Sequence, residues 1–207
     1  MYGVYFDEEH YGCTLDCIMN YARVGLPEPK TKQIEIPGMD GVLDLTESTG
    51  AVRYATREIS LRFTATNRAK LDKLMNDIHG RQKKIILDRE PDYTYTGRCT
   101  VDGMSISGPF FVMDAHATCD PYKRKKRKTL YVKQIIGKET IILTNDAMWT
   151  TPEITVDAPM YVTFENKKYK LDAGNYYIED IVMRQKYNRF VVEGRGKVTF
   201  QYQEGRL

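Results

Sequence analysis

The sequence predicts a mainly β protein in two domains with a single helix. Three patterns carry that expectation. Arg57 to Ala65 alternates Ile59, Leu61, Phe63 and Ala65 with Glu58, Ser60, Arg62 and Thr64, which gives a strand one buried and one wet face. One segment has clear helical spacing, with Leu71, Leu74, Met75 and Ile78 on one side. Beyond a run of basic residues, short apolar alternations recur at regular intervals, the pattern of a small antiparallel sandwich. At 207 residues, 42% hydrophobic and 29% charged, the chain is large enough for two modest cores.

In chain order, the first informative stretch is Leu26 to Thr49. Pro27, Pro29 and Pro37 fix φ and remove backbone donors, while Gly38 and Gly41 admit positive φ, so the stretch reads as a shaped arm and not as a core element. After the strand at Arg57 to Ala65, Asn67 is placed to cap the helix and Gly80 to stop it. A strand at Lys84 to Asp88 leads through Arg89-Glu90-Pro91-Asp92 into Tyr93 to Val101, where Tyr93, Tyr95, Gly97 and Cys99 share a face, and another strand covers Phe110 to Cys119.

Lys123, Arg124, Lys125, Lys126, Arg127 and Lys128 then follow in succession, a run that no strand with a buried face is expected to hold. The domain boundary is placed here, giving domains 1–125 and 126–207, with the last strand able to return to the first domain. Short strands are expected at Thr140 to Leu143, Glu153 to Val156, Tyr161 to Glu165, Lys168 to Leu171, Tyr176 to Val182, Arg189 to Glu193 and Lys197 to Tyr202. Asn166-Lys167 reads as a hairpin turn and Gly194-Arg195-Gly196 as a bulge or tight connection.

Catalytic chemistry is not legible. The chain lacks the nucleophile-elbow, Walker, zinc-protease and dinucleotide signatures, so no catalytic residue, metal ligand or cofactor site is expected. His10, His79 and His116 stand apart from any legible nucleophile and base; His79 reads as a helix-terminal cation and His116 as a surface or interface residue. Cys13, Cys17, Cys99 and Cys119 lack zinc-ligand spacing and are expected as reduced thiols. Asp88, Glu90 and Asp92 lack the glycine and distal glutamate of a calcium loop. No apolar run approaches the roughly 18 residues that cross a bilayer. MYGVYFDEEH carries no export signature, so folding in a cytoplasm without membrane contact is expected.

The basic run suggests nucleic acid, but the 31 Lys and Arg are set against 28 Asp and Glu, and without the run the balance is 25 against 28. The remainder is no basic surface, and no aromatic residues interleave the run, so specific nucleic-acid binding is not expected. Exposed tyrosines among Tyr93, Tyr95, Tyr161, Tyr169, Tyr176, Tyr177 and Tyr187 raise sugar binding, though tyrosine is also a good strand residue and Trp149 stands alone.

IPGMDGVLDLTE in the proline-rich arm, KKIILDREPDYTYTG before Arg98, Cys119-Asp120-Pro121-Tyr122 and Tyr202-Gln203-Glu204-Gly205, in this order, resemble the distal tail proteins of long-tailed siphophages. The resemblance implies an N-terminal tail-tube-like β-sandwich or split barrel with one helix, and a galectin-like C-terminal β-sandwich. It further implies a structural, non-enzymatic virion protein made in the bacterial host. Such proteins form a homohexameric ring at the distal tail tip, between the tail tube protein and the tail-associated hub protein, and receptor-binding or baseplate proteins can attach through the C-terminal domain. The candidate inter-subunit arm is Ile34, Ile36, Pro37, Gly38, Asp40, Gly41, Leu43 and Leu45. The basic run is expected to face outward, because cations lining a DNA channel would slow transit. A carbohydrate-binding adhesin acting through the C-terminal sandwich is the alternative.

Overall fold

The structure, a computed structural model, describes residues 2–207. It is mainly β with one helix, and it divides into two compact units, Met1–Lys123 together with Leu207, and Arg124–Arg206. In the first unit the strands are β1 (Val4–Phe6), β2 (Glu9–Tyr11), β3 (Cys13–Thr14), β4 (Cys17–Val24), β5 (Gln33–Ile34), β6 (Leu43–Asp44), β7 (Arg57–Ala65), β8 (Gln82–Leu87), β9 (Tyr93–Ser107) and β10 (Phe110–Cys119). Eight of them form one antiparallel sheet in the order β2-β1-β8-β9-β10-β7-β4-β3. β5 and β6 stand apart as a two-stranded ribbon.

The alternation of β7 is realised residue by residue: Ile59, Leu61, Phe63 and Ala65 are buried against β1, β8 and β10 core residues such as Phe6, Ile85 and Met113. Arg57 is buried too, with its guanidinium 5.5 Å from the centre of the Tyr95 ring, a cation–π contact that an alternation of apolar residues does not announce. Helix α1 (Arg68–Ile78) starts where Asn67 Oδ1 accepts the Ala69 N–H at 2.9 Å, and it buries Leu71, Leu74 and Ile78 under the sheet. Gly80 follows at φ 73, and its N–H donates to Cys99 O at 2.8 Å, so the stop also ties the helix end to β9.

The second unit holds most of the departures from the sequence pattern. Its strands are β12 (Thr129–Asn145), β13 (Glu153–Val156), β14 (Met160–Phe164), β15 (Lys167–Leu171), β16 (Gly174–Tyr177), β17 (Lys186–Tyr202) and β18 (Gly205–Arg206), while β11 (Lys123–Lys125) begins within the basic run. Two short strands expected at Arg189 to Glu193 and Lys197 to Tyr202 are one strand, β17, and it pairs with β12 without interruption from Lys186 to Tyr202. Its other edge is shared, with β14 taking Phe190 to Gly194 and β13 taking Val198 to Gln201.

Gly194 and Gly196 are therefore not a connection between strands but the place where a long strand bends. Phe190 and Phe200 lie on the same strand with ring centroids only 4.9 Å apart, whereas ten residues of straight strand would separate their Cα atoms by roughly 33 Å. The bend folds the sheet over, and Phe164, Phe190 and Phe200 close a core with Ile135, Ile154, Val162 and Val198. A Cβ at Gly194 would lie 2.9 Å from Met160 Cγ, and one at Gly196 would collide with the Asp157 carboxylate, so the neighbouring β13–β14 turn occupies the space a side chain would need. The β14–β15 hairpin turns at Glu165-Asn166, one residue earlier than Asn166-Lys167, because Phe164 pairs with Lys167 and Glu165 takes the positive φ of 51.

Candidate functional site

Two surfaces follow from the stretches that the sequence singles out. The first is the ribbon of β5 and β6. Its neck is closed by backbone bonds in both directions: Lys30 N–H donates to Arg53 O at 2.7 Å and Ala55 N–H to Glu28 O at 2.8 Å. Beyond the neck every residue from 30 to 44 is exposed. At the tip, Met39 N–H donates to Ile36 O at 3.0 Å with Pro37 and Gly38 (φ 83) at the corners, the arrangement of a type II turn. Gly41, at φ 80, makes the return. Asp44 accepts the Thr46 N–H at 2.8 Å, and hydrogen bonds from Thr46 hold its carboxyl below the usual aspartate range.

The chemistry of the ribbon is that of a contact surface. Ile34, Ile36, Met39, Val42 and Leu43 are each 40 to 45% exposed, five apolar side chains on a two-stranded element that has no core of its own. Such a hairpin is marginal by itself, and exposed apolar clusters of this kind mark interaction sites. Pro37, Gly38, Asp40 and Gly41 shape the tip, whereas Leu45 is half-buried at the base.

The second surface is the basic run, whose first three residues form a strand although no strand with a buried face is expected to hold them. Lys123–Lys125 form β11, with Lys123 and Lys125 half-buried and Arg124 exposed between them. A strand holds these lysines because each half-buried ammonium meets a carboxylate. Lys123 Nζ lies 2.7 Å from Glu90 Oε1 and 5.1 Å from the centre of the Tyr93 ring. Lys125 Nζ lies 2.8 Å from Glu204 Oε1, and its backbone N–H donates to Glu204 O at 2.9 Å. Lys128 approaches Glu153 at 3.9 Å. Lys126 and Arg127 are exposed.

Glu90 and Glu204 come from the motifs themselves. Glu90, in the DREPDYTYTG stretch, also accepts the Tyr95 hydroxyl at 2.6 Å. Burial alone would raise its carboxyl, but the hydrogen bonds from Lys123 and Tyr95 outweigh it and hold the group below the ordinary glutamate range. Burial also pushes the Tyr95 hydroxyl up. The Cys119-to-Tyr122 stretch packs beside them: Asp120 N–H donates to Thr96 O at 2.9 Å, and Tyr122 meets Tyr54 edge-on at 5.9 Å. In the second unit, buried Glu204 accepts the Thr129 hydroxyl at 2.5 Å, and Gln203 Nε2 donates to Lys125 O at 2.7 Å.

The remaining candidates separate. Asp88 and Glu90 serve different partners. His79 Nδ1 accepts the Val101 N–H at 3.0 Å, so its ring ties the helix end to β9. His116 pairs with Asp102 at 2.6 Å. His10 is the residue that sequence reasoning missed: it sits between Cys13 and Asp88, and the 78-residue separation from Asp88 hid the cluster. Cys17, Cys99 and Cys119 are buried free thiols, and burial pushes Cys99 and Cys119 up to about 12. The second unit has an exposed row on its edge strand, Leu130, Val132, Ile136 and Ile142 of β12, and a groove lined by Phe164, Glu165, Arg184, Tyr187 and Arg189.

The sequence matches no protein-family profile and no curated protein. Among solved structures, the crystal structure of the Dit protein of phage SPP1, described as a paradigm of the hub adsorption apparatus in phages infecting Gram-positive hosts, aligns with 100% of both chains at a TM-score of 0.70 and 16% identity. Two structures of the phage p2 baseplate in its activated conformation, with Sr and with Ca, align over 98% of this chain and 97% of theirs at TM-scores of 0.48 and 0.47 and identities of 6% and 8%. From its first strand to its last, this chain has the fold of the SPP1 distal tail protein.

Proposed function

We propose that the protein is a structural component of the distal end of a long non-contractile phage tail, where six copies form a ring that joins the tail tube protein to the tail-associated hub protein. The observation that carries this reading is the apolar ribbon set on a full-length distal-tail fold. A ring needs one patch of each subunit to meet a different patch of the next, and an ordered arm with exposed Ile34, Ile36 and Leu43 suits that heterologous contact. The protein acts by assembly, not by catalysis, and its place is the virion. Arg124, Lys126 and Arg127 face away from the channel. Baseplate or receptor-binding proteins attach through the second unit, where β12 exposes its apolar row.

Light scattering of the purified chain at increasing concentration, with negative-stain microscopy, tests the reading. Six times 24.0 kDa is 144 kDa, and a particle of that mass with a central channel is the expected outcome. A chain that stays monomeric when mixed with its tail tube and hub proteins, and that binds glycans through the Tyr187 groove, would sink the ring and favour the adhesin.

A further inference from the structure

We propose that Cys13 is a nucleophilic thiol, served by His10 and positioned by Asp88, that takes a low-molecular-weight disulfide. The three side chains stand in line. Cys13 Sγ lies 3.3 Å from His10 Nδ1, and His10 Nε2 lies 3.1 Å from both Asp88 oxygens. The carboxylate fixes the tautomer: it accepts from Nε2–H, which leaves Nδ1 as the acceptor that faces the thiol. This is the general order of nucleophile, base and orienting acid.

The cluster is held from several sides. Tyr5 stacks flat on the His10 ring, with centroids 4.0 Å apart and planes 4° apart. Asp88 Oδ2 accepts the Gly3 N–H at 2.6 Å, and the Asp88 N–H donates back to Gly3 O at 3.1 Å. A Cβ at Gly3 would come within 2.6 Å of His10 Nε2, so the imidazole fills the space beside that backbone. Access is retained: the His10 and Asp88 side chains are 29% and 21% exposed, and Cys13 is the one cysteine that is not buried. A metal site is excluded by shape, since the thiol and the carboxylate lie on opposite sides of one imidazole.

The substrate class follows from what the cluster supplies. Acyl transfer would need donors aimed at a developing oxyanion, and the nearby Gly3 N–H already serves Asp88. Thiol–disulfide exchange needs only a sulfur nucleophile and a proton carrier. The Cys13 sulfur attacks one sulfur of the disulfide, a new S–S bond forms and the old one breaks. His10 Nδ1 accepts the thiol proton and returns it to the departing thiolate, so the products are a mixed disulfide on Cys13 and one free small thiol.

The test uses the full chain and the aromatic disulfide 5,5′-dithiobis(2-nitrobenzoate), with the released thiolate followed by absorbance and the site located by peptide mass. One equivalent should react fast at Cys13 while Cys17, Cys99 and Cys119 stay protected until the chain is unfolded. His10→Gly should slow the reaction at least about tenfold, and added free imidazole should restore it, which a merely structural role for the ring would not allow. Asp88→Asn should slow it as well, with Asp88→Glu retaining the rate. A His10→Gly rate equal to that of the unaltered chain, a slow variant that imidazole does not rescue, or a first equivalent mapped elsewhere overturns the proposal.

Discussion

Glu90 joins its own DREPDYTYTG stretch to the start of the basic run, since it receives the Tyr95 hydroxyl and the Lys123 ammonium on its two oxygens. Removing its charge leaves a half-buried ammonium without its carboxylate, and the carboxylate is about one-third exposed, so solvent screens part of the loss. Glu90→Gln should therefore lower unfolding stability by about 1–2 kcal/mol, read from urea midpoints. The pH dependence has a defined sign. The folded carboxyl lies below its ordinary value, so its contribution is fully present above the unfolded value of about 4.3 and is lost as the pH falls through the lower folded value. The difference between the two chains should shrink in that acidic window; a difference that persists unchanged would remove the ion pair from the explanation.

The ribbon is the contact proposed between copies, and the bent β12–β17 pair is the element on which the second core depends. At Gly38 and Gly41 nothing lies within 4 Å of a would-be Cβ, so a side chain there costs only the positive φ. For β-branched valine that is about 1–2 kcal/mol at each position. The double change Gly38→Val, Gly41→Val should misdirect the tip and impair ring formation while both cores remain folded, as judged by light scattering beside circular dichroism. Normal rings would count against the arm as a contact. Gly196→Val acts differently, because the side chain meets Asp157 and Met160 in a packed turn. It should cost at least about 2 kcal/mol and broaden or lower the melting transition of the second unit. An unchanged transition would mean that the bend tolerates a side chain.

At the scale of the whole molecule, each unit has its own core. Among the described residues, eighteen hydrophobic side chains from Val4 to Cys119 are buried in one and sixteen from Ile135 to Tyr202 in the other. A ring-forming role fits this division, since one unit can make contacts between copies while the other presents a separate surface. The net charge of +3 is small, and at least three of the six residues in the basic run approach carboxylates. Assembly should therefore depend on the apolar ribbon more than on salt. The 144 kDa particle expected from six times 24.0 kDa should keep its mass as ionic strength rises. Dissociation by salt alone would point to charged contacts instead.

The sequence by itself determined the β class, the extent of β7 and β10, the capped helix, the exposed arm and the residue types at its turn. All of these rest on local periodicity, on fixed φ at proline or on positive φ at glycine. It also marked Glu90, Asp120 and Glu204 as members of motifs, but not what they do. Tertiary structure decided that, because Lys123 and Lys125 can enter a strand only where distant carboxylates neutralise them. It also merged two apparent strands into β17, since the Gly194-to-Gly196 break in the apolar pattern looks the same for a turn and for a bend. The Cys13–His10–Asp88 line was equally hidden: pairing of β1 with β8 brings Asp88 beside Gly3 and His10, and nothing in sequence spacing encodes a contact closed across a sheet.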